Sequence, residues 1–147
     1  MEPIGIIKSP IREGRDDGWG EVVSELHVTP AFAAGLEGLD QFSHALVIYW
    51  MHASSFTPDN DLVRRPRGRA DMPELGIFAQ RAKDRPNPLG ITVVKLVSVE
   101  PDGLTVRGLD AIDGTPVLDL KPHFPVFDSP AGAKVAPWVE VLMRGYF

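Results

Sequence analysis

Three segments of alternating apolar and polar residues follow one another in the second half of the chain: Ile91–Glu100, Leu104–Ile112 and Val117–Lys121. They are joined only by Pro101-Asp102-Gly103 and Asp113-Gly114-Thr115-Pro116. Connections this short cannot hold a crossover helix, so successive strands are expected to run antiparallel, as a meander. Upstream, Pro3–Ser9 alternates, with Ile4 and Ile6 on one face and Ile7 on the other, before Pro10 ends it. In Glu21–Val28, Val22, Ser24, Leu26 and Val28 alternate with Val23, Glu25 and His27. The run from Ala45 to His52 is β-branched and aromatic throughout, the pattern of a strand covered on both faces. A last strand is expected at Trp138–Met143. The helix signal is confined to Thr29-Pro30, with Thr29 as N-cap and Pro30 at the first helical position, and Gly35 and Gly38 stop it early. The expected fold is therefore mainly β: a small antiparallel β-barrel with one short helix and long loops. At 147 residues it forms one domain, 1–147, able to bury about two thirds of its unfolded surface.

The stretch GIFAQRAKDRPNPLG, Gly76 to Gly90, stands out from this pattern. It opens like a strand through Ile77, Phe78 and Ala79, then sets Arg81, Lys83, Asp84 and Arg85 before Pro86-Asn87-Pro88. Each proline fixes φ near about −65° and biases the preceding residue toward extended geometry, so charge meets a rigid backbone. A stiff connection carrying solvated charges accounts for an isolated RPNP equally well. In a meander, however, this turn and Asp113–Pro116 lie at the same end of the sheet and line one cleft. Backbone amides at Gly90 and Gly114, an arginine, the Asn87 side chain and carboxylates suit a small polar ligand carrying a carboxylate, hydroxyls and a base. Asp113-Gly114 alone reads as a plain type I′ turn.

Other features narrow the function classes. The chain has no cysteine, which excludes a thiol nucleophile, thiolate metal site or disulfide framework. His44 and His52 bracket the aromatic strand with no acidic or histidine partner at metal-like spacing, so no metal site is expected. Trp19, in the charged loop 12–20, is expected to cap the core. MEPIGIIKSP lacks the basic and apolar regions of a signal peptide, and Ala45–Met51 falls far short of the about 20 residues that cross a bilayer. A soluble, cytoplasmic protein is expected. A net charge of −5 argues against a generic nucleic-acid binder. The cluster Arg64, Arg65, Arg67 and Arg69 is the dense positive patch, where a phosphate-bearing partner would touch; such a run is usually a solvated loop.

Together with Phe42-Ser43-His44 and DGTPVLDLKP from Asp113 to Pro122, the RPNP stretch resembles the TsaA-like, or TrmO, family of S-adenosylmethionine-dependent tRNA methyltransferases. The resemblance runs from IGIIKSP at Ile4–Pro10 to Asp128-Ser129, with the motifs in order. It implies a small β-barrel, normally a dimer, that binds S-adenosylmethionine outside any Rossmann fold. It also implies methyl transfer to the exocyclic nitrogen of threonylcarbamoyladenosine beside the anticodon of tRNA. The cofactor contacts it implies are His52, Arg81, Leu89, Gly90, Ile91, Ile112, Asp113, Gly114 and Thr115, to which the cleft adds Asn87. Asp16 to Trp19 would join them. Attack on a sulfonium methyl is largely a matter of positioning, and a carbamoylated nitrogen is acidic enough to ask little of a base. Asp113 or His44 would accept the proton.

The chain departs from the family pattern at Ala79-Gln80-Arg81-Ala82-Lys83, at His123 and Val126 where tyrosines are usual, and in lacking the C-terminal domain of longer bacterial members. Tyrosines and such a domain are natural RNA contacts. Three functions are therefore carried forward: a tRNA adenosine methyltransferase with Arg64–Arg69 on the RNA, a methyltransferase for a small molecule or other nucleotide, and a non-catalytic S-adenosylmethionine-binding module.

Overall fold

The computed structural model describes every residue from Met1 to Phe147. Its strands in chain order are β1 (Gly5–Lys8), β2 (Val23–Val28), β3 (His44–Trp50), β4 (Val63–Arg64), β5 (Leu75–Gly76), β6 (Leu89–Glu100), β7 (Gly103–Arg107) and β8 (Pro116–Pro122). Six of them close into a barrel in the order β1-β2-β7-β6-β3-β8, each neighbouring pair antiparallel, while β4 and β5 pair separately. The closed antiparallel barrel expected from the alternation is present.

Period-two alternation fills the interior. Ile7 of β1, Leu26 and Val28 of β2, Ala45, Val47 and Tyr49 of β3, Val94 of β6, Leu104 and Val106 of β7 and Val117 of β8 form one buried cluster. Leu36 and Leu39, from two 3-10 turns at Pro30–Leu36 and Leu39–Gln41, close it from outside the sheet. Near-continuous burial of Ala45, Leu46 and Val47 matches a strand covered on both faces, although Trp50 at its end is 45% exposed.

Three expectations are corrected. The meander stops after the β6–β7 hairpin: the second edge of β7 pairs with β2, and β8 pairs with β1 and β3. A barrel has no free edge, so once β2 holds β7 the next strand must cross to the remaining gap. β7 accordingly ends at Arg107 rather than Ile112; Gly108, at φ 86°, turns the chain away. Second, Trp138–Met143 is not a strand: Trp138–Leu142 lies in helix α3 (Pro137–Leu142) and Met143 caps it, after α1 (Pro58–Asp61) and α2 (Pro125–Asp128). A closed barrel offers no partner to a further strand, and Pro137 is tolerated in a helix's first turn. Third, the segment after Thr29 is a 3-10 turn, and Thr29 does not cap it: its hydroxyl donates to the Ile4 carbonyl at 2.9 Å. No helix is long and apolar enough to cross a membrane.

Candidate functional site

The antiparallel order puts the ends of β1, β3 and β7 and the starts of β2, β6 and β8 at one end of the barrel. The RPNP turn, His52 and the Asp113–Pro116 turn therefore share that end, through a crossover rather than a meander. The turn is tied down by its main chain: the Met51 amide donates to the Pro88 carbonyl and the Leu89 amide to the Asn87 carbonyl, both at 2.8 Å. Arg85 donates to the Gln80 carbonyl at 3.1 Å, and the Arg81 guanidinium donates to the Ile91 carbonyl on the outside of β6.

The expected ligand residues fall into two groups. His52, Arg81, Asn87, Leu89 and Ile91 are exposed, and Ile112, Asp113 and Gly114 are half-buried. Gly90 and Thr115, by contrast, are packing positions. Thr115 is 1% exposed, and a Cβ on Gly90 would lie 2.2 Å from the Tyr49 ring, so this glycine makes room for a tyrosine opposite it in the ladder. The Gly114 amide expected to face a ligand donates instead to the Ile7 carbonyl at 2.9 Å. The Cα of Gly114 nevertheless faces open space at φ 80°, which keeps the turn's backbone approachable. Asp113 accepts the Ser9 amide on Oδ1 at 3.1 Å, tying this turn to β1.

A polar network joins this end that no spacing in the sequence signals. Asp110 accepts hydrogen bonds from the hydroxyls of Tyr49 (3.0 Å) and Thr92 on Oδ1 and of Tyr146 (2.7 Å) on Oδ2. Burial, reinforced by the Asp110 charge, pushes both tyrosine phenols well above their ordinary range. Tyr146 is held by its own segment: the Gly18 amide donates to the Gly145 carbonyl (2.9 Å) and the Trp19 amide to the Tyr146 carbonyl (2.8 Å). Trp19 is buried, with its indole N–H on the Arg15 carbonyl and the Arg15 guanidinium 5.1 Å from its ring centre.

The basic loop is less free than its sequence suggests. Arg64 lies 3.6 Å from Asp61 and 3.8 Å from Asp84, Arg67 lies 3.5 Å from Asp16 and stacks 5.4 Å from the centre of the Tyr146 ring, and Arg69 grips Asp71 at 2.6 Å. Arg65 donates to the Met72 carbonyl and is alone among the four in having no carboxylate partner. Asp84 carries much of the local order. Burial pushes its carboxyl up, but Lys83, the Ser55 amide and Ser54 outweigh that and hold it below its ordinary range.

His44 sits at the other end of β3, a seven-residue strand about 20 Å long. Within one chain it is therefore not brought together with Asp113. Its Nδ1 is 2.8 Å from the Ser43 hydroxyl, and its ring meets His123 edge-on at 6.3 Å. His123 Nδ1 lies 2.9 Å from an Asp128 carboxylate oxygen but off the line of a hydrogen bond. Phe42, Phe124 and Phe127 stack beside them at 5.8 and 6.0 Å. A concavity of about 430 Å³ is also at this end; Glu37, Asp40 and Glu100 line it without an arginine or lysine, so volume alone does not make it the ligand site.

Residues 13–129 match the family described as tRNA-methyltransferase O N-terminal domain. The S-adenosyl-L-methionine-binding protein of Archaeoglobus fulgidus is 38% identical over 133 residues, covering 87% of this chain and 91% of that protein. The mouse tRNA (adenine(37)-N6)-methyltransferase is 38% identical over 100 residues, covering 68% of this chain and 23% of that enzyme. The crystal structure of TrmO from Pseudomonas aeruginosa superposes with a TM-score of 0.74 at 33% identity, over 92% of this chain. The chain spans 59% of that solved structure. By sequence and by fold, the chain belongs to the tRNA-methyltransferase O N-terminal domain family.

Proposed function

We propose that the chain is an S-adenosylmethionine-dependent methyltransferase acting in the cytoplasm on tRNA, at N6 of threonylcarbamoyladenosine beside the anticodon. The observation that carries this is the grouping of Arg81, Asn87 and the open Gly114 backbone at one barrel end, in a chain whose relatives are named for binding S-adenosylmethionine or methylating tRNA adenine 37. The residues fit that cofactor. Arg81 and Asn87 supply donors for a carboxylate, Leu89, Ile91 and Ile112 supply apolar contact, and Gly114 leaves room for close backbone approach. His52, Gly90, Asp113 and Thr115 complete the proposed cofactor end, Gly90 and Thr115 from beneath.

S-adenosylmethionine supplies an electrophilic sulfonium methyl. The chain's part is to hold it and the acceptor nitrogen in line, which converts an encounter into an intramolecular step. With Oδ1 of Asp113 engaged by Ser9, its other oxygen is the proposed proton acceptor. His44 is the alternative, reaching the site only from a second copy. A homodimer would also cover the exposed Trp50, Leu89, Ile91, Val93 and Val97 on the outer face of β3 and β6. Arg64, Arg65, Arg67 and Arg69 are the proposed RNA-facing segment, with Arg65 the guanidinium free of carboxylates. A small-molecule acceptor is the second reading, favoured by the carboxylate pairing of the other three.

Calorimetric titration with S-adenosylmethionine, repeated on Arg81→Ala and Asn87→Ala and followed by methyl transfer to unmethylated tRNA, tests the proposal. Weakened binding in both variants and methylated tRNA are expected. No heat with the wild type removes the methyltransferase reading; turnover on a metabolite with none on tRNA selects the small-molecule reading.

A further inference from the structure

Asp110 takes hydroxyl hydrogen bonds from three separate places: Tyr49 on β3, Thr92 on β6 and Tyr146 in the segment docked on the 18–20 loop. No lysine, arginine or histidine forms an ion pair with it. Cohesion alone does not account for this arrangement, because even a half-buried carboxylate without a cation is costly and apolar side chains would fill the space as well. Its place in the chain points to its role. Asp110 lies two residues before Ile112, and the far side of the same loop is pinned to β1 and the residues just after it by the Asp113 amide on the Ile11 carbonyl (2.7 Å), Asp113 Oδ1 on the Ser9 amide and the Gly114 amide on the Ile7 carbonyl. Ile112 is thus slung between two anchors. Arg67 stacks 5.4 Å from the centre of the Tyr146 ring, so the basic loop packs against one of the three donors.

We propose that Asp110 is a positioning residue: with Tyr49, Thr92 and Tyr146 it fixes the Ile112–Thr115 wall against the RPNP turn. It thereby sets the affinity for S-adenosylmethionine without touching it. The proposal rests on the cofactor reading above. The hydroxyl donors act as struts from the barrel wall and from residues 145–147, holding the middle of a loop whose ends are tied through the Gly108 amide on the Val22 carbonyl and the Gly114 amide on the Ile7 carbonyl, both at 2.9 Å.

The chain has two tyrosines, Tyr49 and Tyr146, so tyrosinate absorbance reports this network alone. In the wild type the phenolate is expected to stay absent past the ordinary value of about 10 until alkaline unfolding, and saturating S-adenosylmethionine delays it further. In Asp110→Asn it appears at lower pH, and the same concentration of cofactor delays it less. By calorimetry, Kd for S-adenosylmethionine weakens about ten-fold in Asp110→Asn, which disturbs all three hydrogen bonds, and about three-fold in Tyr146→Phe, which removes one. If Asp110→Asn fails to fold, Tyr146→Phe and Tyr49→Phe decide by the same Kd. Folded variants that bind like the wild type overturn the positioning role and leave the cofactor reading standing. A fall in melting temperature at unchanged Kd overturns it equally. A wild type that takes up no cofactor removes both.

Discussion

The two ends of the barrel are built on different principles. At the RPNP end the main chain is cross-linked: Met51 to Pro88, Leu89 to Asn87, Gly114 to Ile7, and the Asp113 carboxylate to Ser9. At the His44 end the main chain is tied as well, His123 to His44 and Leu96 to Ser43, but what it presents at the surface is side chains: three phenylalanines, and two imidazoles that meet edge-on. Main-chain bonds have few alternative geometries, whereas stacked exposed rings exchange rotamers readily. A ligand that must be held for in-line chemistry belongs where the backbone is fixed, and the softer end suits contacts that adapt to a partner.

The sharpest challenge to this contrast is at the glycines. Gly90→Ala puts a methyl into the Tyr49 ring and is expected to destabilise the fold by about 3 kcal/mol, at the upper end for overpacking. Gly114→Ala, strained only by its positive φ with open space around it, should cost about 1 kcal/mol. Urea denaturation measures both, and an inverted order would mean that the mouth is not packed as described. At the level of affinity, Arg81→Ala and Asn87→Ala should each weaken S-adenosylmethionine about ten-fold, while His44→Ala leaves Kd within about two-fold. A large loss of binding in His44→Ala would put the far end into the cofactor site.

The basic loop divides along the same line. Arg67→Ala removes the stack on Tyr146 and should lower the melting temperature, whereas Arg65→Ala should leave it unchanged and reduce the salt slope of tRNA binding by about 1. Unchanged salt dependence in Arg65→Ala would take that residue off the RNA. The smallest effect is at Asp84. Its carboxyl is held below the ordinary range, so the folded state favours the ionised form. That contribution is present above the unfolded value of about 3.9 and is lost as pH falls below it. Asp84→Asn should flatten the acid limb of stability against pH; an acid limb identical to the wild type would show that Ser54, Ser55 and Lys83 hold the loop without it.

Most of the strands, the antiparallel pairing of the β6–β7 hairpin and the family are legible in the chain alone. Alternation and turn chemistry are local, and the motifs are contiguous, so each can be read without knowing what lies across the barrel. The pairing of β8 with β1 and β3 is settled only in three dimensions, because closure depends on which edges remain after distant strands have met. The same holds for the helical state of Pro137–Leu142 and for the packing of Gly90 against the Tyr49 ring. Tyr146, 36 residues from Asp110, is out of reach of any local pattern, and the basic loop reads as free charge because its partners at Asp16 and Asp84 arrive from other segments. Hydrogen bonds and ion pairs between residues far apart in sequence leave no periodic trace; they exist only once the chain has closed on itself.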